Sequence, residues 1–193
     1  SSKDVVEKAV KSCDYINSYG PTEVTVCATN WECKKGASVP DTIPIGKPID
    51  NIKLYILNKK GNVQPVNIPG ELYISGEGLA RGYLNNEELT NEKFVANPFA
   101  KEEINTDVYD RMYKTGDLAK WNEDGEVIYL GRIDQQVKIN GQRIELGEIE
   151  VVMQEFPDVS QAVCTVSKNE NTQRLCAYYV AASEIDTVQL KAH

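Results

Sequence analysis

Histidine is almost missing from this chain. Of 193 residues only the last, His193, is one, which all but excludes chemistry that depends on a histidine base. The five cysteines, Cys13, Cys27, Cys33, Cys164 and Cys176, are odd in number and contain no Cys-x-x-Cys pair. That scatter argues against a disulfide frame or a zinc site and reads as reduced, mostly buried thiols of a cytoplasmic protein. No apolar run approaches bilayer length, and Ser1-Ser2-Lys3-Asp4 does not look like a signal peptide, so neither membrane insertion nor export is expected. Positive charge is in deficit: 21 Lys and Arg face 29 Asp and Glu, for a formal net charge of −8. A nucleic-acid backbone is therefore a poor partner. A phosphate-cradling glycine loop is lacking too. Gly76, Gly78 and Gly82 follow a β-rich stretch without opening a clear helix, and they read as bends.

What the chain does contain is organised around Tyr113-Lys114-Thr115-Gly116-Asp117, a strand end turning at Gly116 with an exposed carboxylate just beyond it. Asp124-Gly125 sits between the apolar runs 118–121 and 127–130, the pattern of an antiparallel hairpin that returns Arg132 towards Asp117. A carboxylate and a guanidinium on one rim suit a ligand carrying a sugar diol and a phosphate, although a surface ion pair at a turn gives the same local pattern. Earlier in the chain, Val5, Val6, Ala9 and Val10 recur at helical spacing, and Tyr15-Ile16-Asn17 reads as a short strand entering the Gly20-Pro21 turn. Tyr19 offers a flat face to a base, Thr22 a hydroxyl to a phosphate, and Glu23 a hard oxygen to Mg2+. A buried tyrosine beside an ordinary turn is the plain alternative. Residues 24–29 are expected to be extended, residues 31–40 irregular, and the proline-bearing stretch 43–48 a crossing loop.

Strands are further expected at 52–57 and 70–76, a helix capped by Asn86, and a polar insertion at 101–110. Beyond Asp134, the runs 136–139 and 142–144 flank Asn140-Gly141, a strong hairpin signal. Ile149, Val152, Met153 and Phe156 make one helix face with Pro157 past its end. Two strands at 162–166 and 175–180 follow, and Thr187 is placed as the cap of a last helix. These elements make a small ββαββ unit.

Four ordered motifs carry a resemblance over nearly the whole chain: Asn17-Ser18-Tyr19-Gly20-Pro21-Thr22-Glu23, Gly70-Glu71-Leu72-Tyr73-Ile74 with Gly82-Tyr83, Tyr113-Lys114-Thr115-Gly116-Asp117, and Gly131-Arg132-Ile133-Asp134 leading to Arg143-Ile144-Glu145. In order and spacing they resemble the adenylate-forming (AMP-dependent synthetase and ligase) superfamily. The nearest likeness is the amino-acid adenylation domain of nonribosomal peptide synthetases, to which residues 76–84 and Asn97-Pro98-Phe99 also point. The resemblance implies a mixed α/β and α+β fold. Residues 1–134 would be the β-rich later part of the large N-terminal subdomain, with short strands in a partial barrel, and residues 135–193 most of the small C-terminal one. It implies nucleotide contacts by Tyr19, Gly20, Thr22, Asp117 and Arg132, Mg2+ at Glu23, and an amino-acid pocket lined by Ser18, Val26 and Cys27. Asp134 would be the hinge on which the C-terminal subdomain swings. Gly141, lacking a Cβ, would let a pantetheine arm approach, although Asn140 stands where many family members carry a basic residue.

The implied activity is ATP-dependent formation of an aminoacyl-AMP, then loading of a phosphopantetheine thiol on a peptidyl carrier protein, as in antibiotic biosynthesis. The family's phosphate loop, its aspartate for the substrate amino group and its C-terminal catalytic lysine match nothing here. The expectation is thus a piece of a larger enzyme, holding no catalytic residue of its own beyond the hinge candidate and inactive alone. An acyl-CoA or aryl-CoA ligase of the same superfamily, a Mg-dependent phosphotransferase, and a nucleotide-binding or carrier-docking fragment without turnover are the competing readings.

Overall fold

The computed structural model describes residues 1–100, 106–133, 137–139, 142–169 and 172–193. Asp134, Asn140, Gly141 and the polar residues 101–105 lie outside that set, so the hinge and pantetheine assignments are not addressed by it. The chain divides into two compact units, Ser1–Ile133 and Asp134–His193.

The first unit begins with helix α1 (Lys3–Ala9), whose inward Val6 packs with Val10, Trp31 and Cys33. Strands β1 (Tyr15–Tyr19), β2 (Thr29–Cys33) and β3 (Lys47–Pro48) form an antiparallel sheet in that order. Trp31 and Cys33 alternate with exposed Asn30 and Glu32, a half-buried strand pattern. Strand β2 is therefore displaced from where an extended run was expected. Residues 24–28 precede it as a tight turn, and 31–33, read as irregular, are its core. The prolines of 43–48 permit only the two-residue β3 at the sheet edge, where a missing N–H costs no ladder bond.

The second sheet holds β4 (Ile52–Leu57), β5 (Gly70–Gly76), β6 (Phe94–Ala96), β7 (Arg111–Trp121) and β8 (Val127–Arg132), all antiparallel. Its order is β4-β5-β7-β6, with β8 also on β7. Strand β7 is the longest of them. It pairs with β5 along one edge, while β6 occupies the first part of the other edge and β8 the last. Ile56, Leu72, Ile74, Tyr113, Ala119 and Val127, all essentially inaccessible, form the core with Val24, Ile52 and Phe94. Helix α2 (Glu87–Lys93) starts as expected, the Asn86 side chain accepting from Leu89 N at 3.0 Å. Helix α3 (Thr106–Tyr109) occupies the end of the stretch read as an insertion.

Gly46 ties the two sheets together. Its carbonyl accepts from Val127 N at 2.8 Å, and Ile45 N donates to Val127 O at 2.9 Å. Its φ is +93°, and a Cβ there would sit 2.0 Å from Asn30 O. Only glycine satisfies both conditions.

The second unit runs β9 (Val137–Ile139), β10 (Gln142–Ile144), α4 (Leu146–Glu155), β11 (Val159–Asn169), β12 (Thr172–Ala181) and α5 (Thr187–Ala192). The strand pairs β9–β10 and β11–β12 are antiparallel. Met153 is buried and Ile149 and Phe156 pack beside it, as their spacing anticipates, whereas Val152 is 43% exposed. The cap of α5 is Asp186, whose carboxylate accepts from Val188 N at 2.8 Å, rather than Thr187; an aspartate one residue earlier reaches the exposed amide first. All five thiols are free, but only Cys33 and Cys164 are buried. Cys13 is exposed because it lies just past α1, beyond the helix face that packs inward.

Gly46→Ala is expected to destabilise the first unit by more than ~2 kcal/mol in urea unfolding. Gly36→Ala, at φ +77° with open space around it, should cost only the ~1–2 kcal/mol of a left-handed backbone. Equal losses would show that the close approach to Asn30 carries no weight.

Candidate nucleotide site

Three side chains predicted to contact one ligand come together at the middle of β7. The β5–β7 register shifts there: Glu71 pairs with Leu118 but Tyr73 with Lys114, so residues 115–117 of β7 stand opposite Leu72 alone. Side chains stand in for the interrupted ladder. Thr115 Oγ1 donates to Leu72 O at 2.7 Å and accepts from Asp117 N at 2.9 Å, and Gly116 N donates to Glu71 Oε1 at 3.1 Å. The strand does not end at Gly116, as its glycine suggested, but continues through it to Trp121. Asp117 is accordingly not exposed; it is 5% accessible and faces inward.

The β7–β8 hairpin places Arg132 directly across from Asp117, and Arg132 Nη1 lies 3.1 Å from Asp117 Oδ1. The second carboxylate oxygen accepts from the Tyr19 hydroxyl at the end of β1, 98 residues away in the chain. Tyr19 is packed against the core, with the Tyr129 ring 6.3 Å from its own. Its burial, and next the Asp117 carboxylate, hold its phenol far above the ordinary range, so it remains a donor. A carboxylate is an acceptor-only group with about four lone-pair sites, the chemistry that a sugar diol's two hydroxyls require.

Beyond Tyr19 the chain turns at Gly20, where a Cβ would stand 2.6 Å from Val26 O and 2.8 Å from Ala28 N. The turn closes with Ala28 N donating to Tyr19 O at 2.8 Å. A 3-10 turn, Thr22–Val24, presents Thr22 outward and Glu23 inward. Glu23 is 7% accessible, and the Tyr83 hydroxyl donates to its Oε1 at 2.7 Å. Burial, and then this bond, raise the Tyr83 pKa well above its usual value. Thr25 and Val26 follow with φ of +54° and +73°, which β-branched residues rarely adopt. Bonds from Thr25 Oγ1 to Gly78 O (2.8 Å) and from Ala80 N to Glu23 O (2.8 Å) hold this segment. Such strain persists where surrounding structure over-determines it, commonly at ligand sites.

Of the residues predicted to line an amino-acid pocket, Ser18 and Cys27 converge: Ser18 Oγ donates to Asn30 Oδ1 at 2.7 Å and Cys27 Sγ to the same oxygen at 3.3 Å. Val26 stands apart, 79% exposed on the strained turn. Sequence reasoning missed Asn30, Tyr83, Thr115 and Glu71 as supports. Asn30 becomes visible once β2 is set at 29–33, because it then faces Ser18 in register. Among the described residues no group of three or more His, Cys, Asp or Glu side chains is arranged to hold a metal.

The chain matches the family of AMP-binding enzymes over residues 2–84. It is 47% identical to tyrocidine synthase 1 of Brevibacillus parabrevis over 192 residues, 99% of this chain but 17% of that protein. It is also 45% identical to surfactin synthase subunit 1 of Bacillus subtilis over 197 residues, spanning 5% of it. A solved NRPS protein containing adenylation and PCP domains shares the fold at a TM-score of 0.76 and 30% identity, over 91% of this chain and 34% of that one. A four-domain nonribosomal peptide synthetase solved with AMP and glycine matches at a TM-score of 0.60 and 35% identity, over 99% of this chain and 14% of that one.

The raised tyrosines set the alkaline behaviour. Tyr73 is pushed up to about 12 by burial and then by Glu71, and Tyr19 and Tyr83 are raised further. Unfolded phenols ionise near about 10, so the stabilisation is whole below that pH and is lost as pH rises through the folded values. Urea midpoints should therefore fall from pH 9 to pH 11, and the fall should shrink in the double variant Tyr19→Phe, Tyr83→Phe. An equally steep fall in that variant would contradict the assignment.

Proposed function

Because the chain belongs to the AMP-binding, adenylate-forming enzymes of the nonribosomal peptide synthetase type, we propose that it forms part of an ATP-dependent amino-acid-activating enzyme. The observation that carries this reading is the meeting of Tyr19, Asp117 and Arg132 in one cluster, with Thr22 and Glu23 on the adjoining turn. In the first half-reaction an amino-acid carboxylate oxygen attacks the α-phosphorus of ATP, the bond to the bridging oxygen breaks, and pyrophosphate leaves with its electron pair. In the second, the thiol of a carrier protein's phosphopantetheine attacks the aminoacyl carbonyl, forming a thioester and releasing AMP. Residues 1–134 would supply nucleotide and side-chain contacts, and 135–193 the small subdomain that swings about Asp134.

Each residue has a distinct part in the proposed site. Asp117 accepts from the ribose hydroxyls. Arg132 holds the carboxylate in place and faces the phosphate side with its positive charge. The Tyr19 ring stacks on adenine while its hydroxyl steadies Asp117. Thr22, presented outward, donates to the α-phosphate. A single buried carboxylate whose orientation is held by a tyrosine fits Mg2+, an ion that takes one or two carboxylates and shares the nucleotide's phosphates. When bound at Glu23, that ion would offset phosphate charge. Ser18 and Cys27 line the side of the amino acid, with Val26 at its exposed rim on the strained turn.

Calorimetric titration with AMP and with 2′,3′-dideoxy-AMP tests the diol grip directly. The wild type should bind AMP more tightly by roughly 10-fold or more, the worth of a hydrogen bond to a charged group. Asp117→Asn, shown to be folded by its urea transition, should bind the two nearly equally. A wild type that does not distinguish them sinks the reading.

A further inference from the structure

Asn30 is the residue whose placement asks for an explanation beyond the nucleotide cluster. It faces Ser18 across the β1–β2 ladder and Lys47 across the β2–β3 ladder, and it points away from the buried side held by Asn17, Thr29 and Trp31. Its backbone is locked on both sides, with Gly46 packed against its carbonyl. One atom, Asn30 Oδ1, receives the Ser18 hydroxyl proton at 2.7 Å and lies 3.3 Å from Cys27 Sγ, whose one proton it shares with the more distant Thr29 O at 3.6 Å.

That arrangement sets the hydrogen-bonding polarity of the surface. With its proton committed to Asn30, Ser18 Oγ presents lone pairs. The other end of the Asn30 amide presents two N–H donors. An acceptor and a donor therefore stand side by side on uncharged groups, where the residue types Ser, Val and Cys alone suggest a small, mostly apolar wall.

We infer that Asn30 is a specificity-determining residue, orienting Ser18 and Cys27 so that this wall takes a carboxamide side chain in preference to an aliphatic one of the same shape. A carboxamide gives its N–H to Ser18 Oγ and accepts from Asn30 Nδ2. An aliphatic side chain would cover both groups and leave them without partners, the situation in which polar sites discriminate most strongly. The inference rests on the proposed reading of residues 18, 26 and 27 as the amino-acid side of the site. It adds a residue to that side and a substrate class.

The test uses the intact chain and three non-hydrolysable sulfamoyl adenosine analogues, asparaginyl, aspartyl and leucyl, whose side chains are close in shape. Wild type should bind the asparaginyl compound at least tenfold more tightly than the leucyl one, and more tightly than the aspartyl one. Asn30→Leu should abolish that preference while leaving AMP affinity unchanged. Peptide-resolved iodoacetamide labelling gives a readout independent of nucleotide: Cys27 should react faster in Asn30→Leu and at the wild-type rate in Asn30→Asp, which keeps the acceptor oxygen. Equal binding of asparaginyl and leucyl analogues with AMP binding intact overturns the inference alone. Tightest binding of the aspartyl analogue also overturns it, since Lys47 would then be the reader. Failure to bind AMP removes the underlying reading, and the inference with it.

Discussion

A buried carboxylate that must be answered from two sides sets the geometry of the first unit. Asp117 has 5% of its surface in contact with solvent, and it is met by Arg132 from β8 and by Tyr19 from β1. Stripping one partner from a buried ion pair typically costs ~3–5 kcal/mol, which is why a carboxylate this buried needs partners held in place by the fold. Asp117 reaches them because β7 changes partners in mid-strand. Its first residues pair with β6 and its last with β8, while three residues bulge against Leu72. The bulge is tolerated because Thr115 and Glu71 take up backbone groups that the ladder leaves over.

Bringing Tyr19 to that point requires the two sheets to be joined, and the join is made at Gly46 between Asn30 and Val127. One crossing thus serves two purposes: it delivers the end of β1 to Asp117 and immobilises the backbone of Asn30, which organises Ser18 and Cys27. The turn between them stores strain at Thr25 and Val26 and hides Glu23 beneath Tyr83. The groups proposed to stack on a base, bind a diol, hold a metal and read a side chain all lie within or beside this one turn and the middle of β7, which is the arrangement the proposed aminoacyl adenylate would need.

Much of this was legible in the chain because the signals were local. The Asp124-Gly125 hairpin, the Asn86 cap and the spacing of Ile149, Met153 and Phe156 each depend on residues a few positions apart, and each took the expected form. Local signals also misled. A glycine at 116 reads as a turn, but in β7 it is part of a bulge, and Asp117 beyond it goes inward rather than out. The β-branched run 24–29 reads as strand, yet the tight return of Ala28 onto Tyr19 forces two of its residues into left-handed backbone.

By itself the sequence determined the residue types available for chemistry, the strand and helix periodicities, and the order of motifs that marks an adenylate-forming chain, since each is carried by spacing along the polymer. Only the tertiary structure decided that Tyr19 meets Asp117 across 98 residues, that Tyr83 holds Glu23, and that Asn30 gathers Ser18 and Cys27. The physical reason is that burial and pairing of polar groups depend on which distant strands share an edge, and strand register sets that pairing between segments remote in the chain.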